Sequence, residues 1–389
     1  MRVLQLHAAY RQRGGEDAAV ATEAALLRDA GHEVHTHAEP NPRTTLDATQ
    51  RFAAAPWNPA AMRRIRELVT RLAPDVVHVH NTWFALSPSV LGAPTDLDVP
   101  TVMTLHNYRM LCAAATLFRE GRPCTDCVGS HPWHAVAHRC YRGSRAQSAV
   151  AASTVLVQLR RARRHPDVSR FLALTEFGRQ QHIAGGLPAD RVELKSNSTG
   201  DPGPRPRPPS TSSTVVFVGR LSEDKGIRLL VEAFRWAPAG LELAVVGDGP
   251  LASELRSRAP DSVRFLGSRS PAQGTRLLLE ARALVFPSLW YEGQGLVALE
   301  AAAAGLPVLL SDHGAMAELF APDADGLLFP PGEVAGLHRA LGRLDDDDFV
   351  DAHGAVTRRR FEERYTHRVA LARLVEIYRA VITEQQDRR

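Results

Sequence analysis

The sequence predicts an α/β protein made of two doubly wound domains, and three observations support this. The chain has 389 residues, which suits two domains of roughly 150–200 residues each. Short apolar runs alternate with helical patterns, as in parallel βαβ units. A stretch with five prolines, Asp201–Ser213, interrupts that alternation. Hydrophobic residues make up 44% and charged residues 23%, which is typical of globular proteins.

The first half of the chain predicts one doubly wound domain over residues 1–200. Apolar runs indicate strands at Val3–Leu6, His32–Thr36, Val76–His80, Pro100–Leu105, Arg170–Leu174 and Val192–Lys195. Helical periodicity indicates helices at Asp17–Ala30, Ala60–Leu72, Ala146–Arg164 and Glu176–Ala184.

The second half repeats this pattern after the proline-rich stretch, which we interpret as a hinge over 201–213. Strands are expected at Thr214–Val218, Leu241–Val246, Val263–Leu266, Ala283–Phe286 and Val308–Leu310. We assign 214–365 to a second domain and 366–389 to a helix packing back on the first, within a charged helical stretch from about Asp346 to Arg388. Because ligands bind at the carboxyl ends of parallel strands, the sequence predicts a site in the cleft between the domains.

Composition narrows the function classes. A net charge of +4 is too small for a nucleic-acid-binding protein. The chain has only two lysines, Lys195 and Lys225, among 47 basic residues, so each lysine merits attention. No apolar run resembles a signal peptide or the ~18–20 residues of a membrane span. We therefore expect a cytoplasmic protein, with peripheral membrane contact left open by the arginine-rich segment Arg139–Arg164.

The segment Phe286–Pro307 carries the strongest chemical signal. Its sequence, FPSLWYEGQGLVALEAAAAGLP, places seven residues between Glu292 and Glu300, with glycines ahead of a helix expected to begin near Gln294 or Gly295. A glycine-rich turn that opens a helix exposes N–H groups at the positive end of the helix dipole, which suits a diphosphate. The alternative is a solvated Glu292 and a helix-facing Glu300, but an unpaired carboxylate on an apolar helix would be costly.

These residues resemble the E-x7-E signature of retaining, two-domain GT-B glycosyltransferases of the family 4 type. Further motifs extend the resemblance over most of the chain: Val218-Gly219-Arg220-Leu221 with Asp224-Lys225-Gly226, Val246-Gly247-Asp248-Gly249-Pro250, Asp325-Gly326-Leu327-Leu328, Pro331-Gly332 and Gly14-Gly15-Glu16. The expected fold is therefore GT-B, with two Rossmann-like domains facing across a cleft. Gly249 is expected to make a tight turn, and Asp248 to cap the helix that follows.

The resemblance implies a role for each matched position. Arg220 and Lys225 would hold the donor diphosphate and stabilise the charge of the leaving group. Glu300 would bind the ribose and Glu292 the donor sugar. The remaining donor-binding positions implied are Gly14, Gly15, Gly293, Gln294, Gly295 and Leu296. The structural alternative for Lys225 is a surface lysine at a helix start, where the dipole disfavours a cation.

His106 follows a predicted strand in the segment TLHNY, so it is expected at the carboxyl end of that strand. In the family, a histidine at this place contacts the donor sugar. Its chemistry would also suit a general base. However, such retaining enzymes are thought to use the departing phosphate oxygen as the base, so we assign His106 a positioning role. His78 and His80, which alternate on an earlier strand, are interpreted as structural.

Four cysteines fall within 29 residues, in an insert over about 107–145: Cys112, Cys124, Cys127 and Cys140. Three interpretations stay open, namely a structural metal such as zinc, reduced buried thiols, and disulfides. A similar insert occurs in a subset of family 4 enzymes. No metal is expected in the chemistry itself, because protein groups carry it in GT-B enzymes.

The expected activity is sugar transfer, with retention, from a UDP- or GDP-type nucleotide sugar to a sugar, lipid-linked or small-molecule acceptor. Three rivals remain: a nucleotide-sugar epimerase, a sugar phosphorylase, and a non-catalytic glycan- or nucleotide-binding relative. An epimerase would act on the donor alone. A phosphorylase of the best-known branch would need a lysine-bound cofactor, for which only Lys195 is left.

Overall fold

The computed structural model describes residues 1–9, 14–39, 44–165, 167–320 and 327–388. It divides into two compact units. The first contains 1–117, 124–196 and 370–389, and the second contains 118–123 and 197–369. Each unit has its own six-stranded sheet, in which all strand pairs are parallel.

The first unit is a doubly wound sheet of strand order β2-β1-β3-β4-β7-β8. Its strands are β1 Arg2–Ala8, β2 Glu33–Glu39, β3 Val76–Asn81, β4 Thr101–Leu105, β7 Arg170–Ala173 and β8 Val192–Leu194. Between β4 and β7 along the chain lies a two-stranded hairpin, β5 Phe118–Arg119 and β6 Arg122–Pro123, which is assigned to the second unit. In the part of this unit that the structure describes, seven α-helices precede β8: α1 Gly15–Asp29, α2 Thr45–Ala53, α3 Pro59–Leu72, α4 Gly92–Thr95, α5 His134–Ala137, α6 Arg145–Arg164 and α7 Glu176–Ala184.

The second unit repeats the plan with strand order β11-β10-β9-β12-β13-β14. Its strands are β9 Thr214–Val218, β10 Glu242–Val246, β11 Val263–Gly267, β12 Ala283–Phe286, β13 Val308–Ser311 and β14 Leu328–Phe329. The helices are α8 Ile227–Ala233, α9 Ala252–Arg258, α10 Pro271–Glu280, α11 Leu296–Ala303, α12 Gly314–Leu319, α13 Val334–Gly342 and α14 Asp347–Arg364. The apolar strand runs β9, β10, β12 and β13 are almost fully buried, as expected for a parallel sheet covered on both faces.

The C-terminal helical stretch is two helices rather than one. Helix α14 ends at Arg364, and α15 runs from His367 to Gln386. The break is stabilised locally, because the Thr366 hydroxyl accepts from the backbone N–H of Val369 at 3.3 Å. From residue 370 onward α15 belongs to the first unit, where Tyr378 packs in a core cluster with residues of β1, β3, β4 and β7.

The proline-rich segment 201–213 lies in the second unit. Its Arg205 guanidinium donates to the carbonyl oxygens of Leu278, Ala281 and Ala304. A short 3-10 turn, Pro209–Thr211, follows, and Ser210 hydrogen-bonds the carboxylate of Asp351. The division between the two units falls between Ser196 and Asn197, at the N-terminal side of this segment.

Candidate active site

Two loops meet in the second unit, after the adjacent strands β9 and β12. The first loop carries Lys225 and then Gly226, whose φ is +64° and whose absent Cβ would lie 1.8 Å from the carbonyl oxygen of Pro287. The N–H of Leu289 in the second loop donates to the carbonyl of Asp224 at 2.8 Å. Only glycine permits this close approach, and the approach brings Lys225 to Glu292.

Lys225 and Glu292 form an ion pair with 2.6 Å between Nζ and Oε1. The Ser288 hydroxyl donates to the same carboxylate oxygen at 2.5 Å. Glu292 is buried, while Lys225 keeps about a fifth of its side chain exposed. The ammonium also lies 4.9 Å from the ring centroid of Trp290, within cation–π range. The pair therefore holds the Lys225 ammonium in a fixed position that remains reachable from solvent.

Arg220 lies two residues beyond β9, and its side chain is exposed. Its turn is held against the turn after β10, since a Cβ on Gly247, at φ +130°, would lie 1.9 Å from the Gly219 carbonyl. A Cβ on Gly249 would meet the Leu221 carbonyl at 2.5 Å, so this glycine serves the close packing of the two turns.

Asp248 does not cap the following helix as the sequence predicted. Its carboxylate accepts from the N–H of the next residue, Gly249, at 2.7 Å. The N-cap position of α9 is Leu251, which makes no side-chain hydrogen bond. The residues between Asp248 and α9 place the carboxylate too early in the chain to reach the first turn.

Helix α11 begins at Leu296, one or two residues later than the sequence indicated. Gly295 is its N-cap, with φ +61°. The preceding Gln294 is buried, and its Oε1 accepts from the N–H of Asn197 at 2.7 Å. Among the described residues its Nε2 has no hydrogen-bond partner. A buried amide donor thus lies beside the glycine that opens the helix.

Glu300 is exposed, which corrects the expectation that it lies among the apolar residues of the helix. Helix α11 buries its other face through Ala298, Leu299, Ala301, Ala302 and Ala303. The side chain is therefore accessible to a ligand, while the protein around its carboxyl group raises the pKa of Glu300 through partial desolvation. Of the two motif glutamates, only Glu292 has a cationic partner among the described residues.

In the first unit, His106 lies directly after β4, as predicted, and is half-buried. Its Nε2 lies 3.0 Å from Nδ1 of His80, and the two rings stack with centroids 5.3 Å apart. The next residue, Asn107, donates from its amide to Glu16 at 3.1 Å. This contact connects the carboxyl end of β4 to the start of helix α1.

The glycine pair after β1 opens helix α1. Gly14 is the N-cap, and its N–H donates to Asp17 at 2.9 Å, while Gly15 is the first helical residue. A Cβ on Gly14 would have no atom of the described residues within 4 Å. Asp17 in turn lies 3.0 Å from Nε2 of His7. The backbone here is open, although the Gly14 amide already has an internal acceptor.

A buried group that sequence reasoning missed lies behind His80. Glu23, on α1, forms an ion pair of 2.6 Å with Lys195 and lies close to both His78 and His80. Two features of the sequence could have pointed to this group when taken together: a rare lysine, and histidines on alternate residues of a buried strand. Among the described residues, Glu23, His78 and His80 are the one group of three metal-type side chains whose ligand atoms lie within 4.8 Å of one another.

The four cysteines are thiols rather than disulfides. Burial, followed by the proximity of Cys112 and the other two thiols, raises the pKa of Cys127 to about 12. Cys140 packs against a small core of Ala113, Ala135 and Ala151. The insert therefore places the thiols near one another, although the described sulfur atoms do not gather as closely as the Glu23 group.

The basic run 139–164 is only partly solvated. Arg161 pairs with Asp167, with 2.5 Å between their atoms, and Arg163 donates to the carbonyls of Gly185 and Gly186. These contacts fasten the end of α6 to neighbouring loops of the same unit. Within the described part of the chain, no helix is both long and apolar enough to cross a membrane.

Two parallel, doubly wound sheets in one chain are the architecture of a GT-B protein. Solved structures agree on the fold. Anabaena HepE, in complex with UDP and glucose, covers 98% of this chain and 100% of its own at a TM-score of 0.70 and 18% identity. Sucrose-phosphate synthase from Thermosynechococcus elongatus covers 98% and 99% at a TM-score of 0.72 and 18% identity.

Sequence comparisons identify the family. The model for family 4 glycosyltransferases matches residues 13–198, and the model for glycosyl transferases group 1 matches 212–347. The chain belongs to this glycosyltransferase family. The phosphatidyl-myo-inositol mannosyltransferase of Mycolicibacterium smegmatis is 26% identical over 95% of this chain and 90% of its own length. The Mycobacterium tuberculosis glycogen synthase is 28% identical over 79% of this chain and 69% of its own length. The predicted family is confirmed. Asp325 and Gly326, two residues of its predicted motifs, lie outside the described residues.

Proposed function

We propose that this protein transfers a sugar from a nucleoside diphosphate sugar to an acceptor hydroxyl, with retention at the anomeric carbon. The observation that carries the proposal is the Lys225–Glu292 pair beside the glycine-opened helix α11. It combines a fixed cation, a buried carboxylate and helix N–H groups in one unit. The second unit would bind the donor, and the first would bind the acceptor.

The donor diphosphate would lie between Lys225, the exposed Arg220 and the backbone N–H groups of 293–296. Two cations and a helix N-terminus stabilise the charge that develops on a departing phosphate without needing a proton. Glu300, exposed on α11, would accept hydrogen bonds from the ribose hydroxyls. The buried Nε2 of Gln294, without a partner among the described residues, would donate to the donor.

Glu292 would face the donor sugar. As a carboxylate held by Lys225 and Ser288, it can accept from sugar hydroxyls and favour positive charge at the anomeric carbon. The acceptor would attack from the face that the diphosphate leaves, and its proton would pass to the departing phosphate oxygen. This sequence of bond breaking and formation retains the anomeric configuration. The open glycines 14–15 and His106 would contact the acceptor or the transferred sugar.

A thermal-shift screen with UDP, GDP and their sugars tests the donor and chooses the base. A ligand at 100 times its dissociation constant adds about 2.7 kcal/mol of stability. HepE was solved with UDP-glucose, which makes UDP-glucose the first donor to try. Glu300→Gln is expected to weaken nucleotide binding, whereas Glu280→Gln, on exposed helix α10, serves as the matched control. If none of these nucleotides raises the melting temperature of the protein, the proposal is overturned.

Turnover separates transfer from its rivals. Product that forms only with an acceptor supports a transferase, product from donor alone indicates an epimerase, and binding without turnover indicates a non-catalytic relative. The anomeric proton coupling of the product, compared with that of the donor, tests retention directly. An inverted product would contradict the retaining mechanism while leaving the donor site intact.

We further propose that the cysteine insert holds a structural zinc ion. Support comes from four thiols, chemically suitable as zinc ligands, whose proximity contributes to the raised pKa of Cys127. Binding would draw the sulfur atoms together and release their protons. Metal analysis of the purified protein should find one zinc per chain, and Cys127→Ser should reduce it. Metal-free protein with four titratable thiols and full stability would contradict this proposal.

A further inference from the structure

A buried polar network lies behind His106 in the first unit, and the proposed transfer chemistry does not use it. Its ionisable members come from three elements and two loops: Glu23 on α1, His78 and His80 on β3, Tyr378 on α15, His106 after β4 and Lys195 after β8. All except His106 are less than a tenth exposed. Burying this many polar groups is costly unless each has a partner.

Glu23 is the centre of the network. Its Oε2 accepts from Nζ of Lys195 at 2.6 Å. Its Oε1 accepts from the side-chain amide of Gln5 at 3.2 Å and lies 2.9 Å from Nδ1 of His78 and 3.3 Å from Nε2 of His80. Burial alone would raise the pKa of Glu23, but the Lys195 ammonium and the two histidines hold it well below the usual range. Glu23 is therefore a carboxylate and can only accept hydrogen bonds.

The direction of the hydrogen bonds follows from that carboxylate. A neutral imidazole carries one N–H and one bare nitrogen. Nε2 of His80 lies 3.3 Å from the Glu23 carboxylate, outside hydrogen-bond alignment, and the negative charge favours the proton on that nitrogen. This leaves Nδ1 of His80 as an acceptor. That nitrogen lies 3.0 Å from Nε2 of His106, so Nε2 of His106 must carry the proton in turn. Nδ1 of His106 is left bare.

We infer that Glu23, held as a carboxylate by Lys195, acts through His80 to fix His106 as the neutral Nε2–H tautomer, whose Nδ1 accepts a hydrogen bond from a sugar hydroxyl. The inference rests on the proposed function and deepens it, because it names positioning residues for the ligand-facing histidine. The ligand group is a hydroxyl rather than a phosphate, since a bare imidazole nitrogen attracts a donor and repels an anion.

The charges of the network support a fixed tautomer over a charged histidine. Burial, followed by the nearby His78, lowers the pKa of His80 to about 3. Burial, followed by His80, also keeps the pKa of His106 well below its usual range. The Lys195 ammonium already neutralises Glu23, so the group needs neither a metal ion nor an imidazolium. Tyr378, whose Oη lies 2.6 Å from Nδ1 of His78, has a pKa raised well above its usual range by burial and Glu23, and stays neutral.

Nitrogen NMR of the intact protein tests the tautomer without any activity assay. With ¹⁵N-labelled histidine, and His106→Gln to assign the signals, His106 should show a protonated Nε2 and a bare Nδ1 that do not change between pH 6 and 9. A protonated Nδ1, or titration of His106 within that range, would overturn the inference. Because this readout needs no donor, its failure is distinguishable from failure of the proposed function.

Variants of the Lys195–Glu23 ion pair test whether it sets the tautomer of His106 through His80. In Lys195→Met the buried Glu23, without its ammonium, should bind a proton from solvent and donate it as a hydrogen bond to Nε2 of His80. His80 then carries its own proton on Nδ1 and donates to a bare Nε2 of His106, whose proton lies on Nδ1 in this opposite tautomer. Turnover of UDP-glucose at pH 7 should fall on the order of tenfold, the loss of about one hydrogen bond, and recover as pH rises.

A second substitution that restores turnover would show that Glu23 and Lys195 position His106 rather than only fill space in the core. The double variant Glu23→Gln/Lys195→Met is neutral again, and its amide oxygen can accept from His80, so the wild-type His106 tautomer and most turnover should return. Glu67→Gln, on the exposed face of α3, is the matched control for the amide substitution. Wild-type His106 signals in Lys195→Met, or no recovery in a folded double variant, would overturn the inference. If Lys195→Met does not fold, the double variant and the wild-type spectra still decide it.

Discussion

Each unit contains one of the two lysines, and each lysine pairs with a glutamate at 2.6 Å. The surroundings of the pairs differ. Lys195 and Glu23 are both sealed in the first unit, and the carboxylate has further donors from Gln5 and two histidines. Lys225 is partly exposed and lies beside an aromatic ring. The same type of ion pair is therefore sealed from solvent in the first unit and accessible to solvent in the second.

The largest expected effect comes from removing the open pair. Lys225→Met and Glu292→Gln should each lower sugar transfer by about 10²–10³-fold, as loss of a preorganised electrostatic partner does. The melting temperature should fall only modestly in either variant, because solvent reaches the pair at Lys225 and the Ser288 hydroxyl still donates to the oxygen at position 292. Steady-state rates with a matched melting curve check this. Transfer at the wild-type rate in either variant would remove the pair from the mechanism.

For the sealed pair, Lys195 and Glu23, we expect a large loss of stability. Lys195→Met leaves a buried carboxylate without its ammonium, which should lower the free energy of unfolding by about 3–5 kcal/mol. Urea unfolding of Lys195→Met beside Lys225→Met is the direct comparison. Equal losses of stability in the two variants would show that the difference in burial has no energetic consequence.

The glycine loops of the two units provide a smaller contrast. Gly226→Ala places a Cβ at positive φ and against the Pro287 carbonyl, so it should cost at least about 2 kcal/mol. Gly14→Ala has open space and an extended φ of −126°, so its stability should be close to wild type. Thermal unfolding of both variants measures this. Similar destabilisation by the two alanines would contradict the packing described for the turn after β9.

The smallest effect is the acid sensitivity of the first unit. The pKa of His80 is lower in the folded chain than in the unfolded one, so the unfolded state binds more protons as pH falls below about 6.5. The free energy of unfolding should therefore be highest above that pH and decrease by about 1 kcal/mol per such histidine between pH 6.5 and 5.5. His80→Gln should reduce the slope in pH-dependent urea unfolding. A slope that does not change in this variant would assign the sensitivity to other groups.

The alternation of apolar runs was enough to predict both sheets, because a buried parallel strand has a strong pattern. Strands β9 and β12 and helix α7 agree with the predicted bounds. The two-residue strand β14 was not predicted, and the helix break at Tyr365 and Thr366 was expected only as a domain boundary between residues 365 and 366. Short strands carry too few residues for a pattern, and the break depends on a local hydroxyl cap between two helices of similar composition.

The donor-side residues were predicted because glycines and charges cluster there along the sequence. The structure joins Lys225 to Glu292 across 67 residues, a pairing that local sequence does not contain. The network behind His106 is still more dispersed, since Glu23 and Lys195 are separated by 172 residues. His78 and His80 were interpreted as structural because a buried histidine is usually just that. Their role becomes visible only through the carboxylate that faces them both.

Because the chain has only two lysines, amine-reactive labelling of this protein can be selective for one side chain. An amine-reactive acylating probe would find one side-chain amine sealed by Glu23 and the other, Lys225, partly exposed. Apart from the N-terminal amine, the probe would therefore report on Lys225. If a nucleoside diphosphate binds at Lys225, it should slow the acylation of this residue. The labelling rate would then measure directly how much of the site is occupied by ligand.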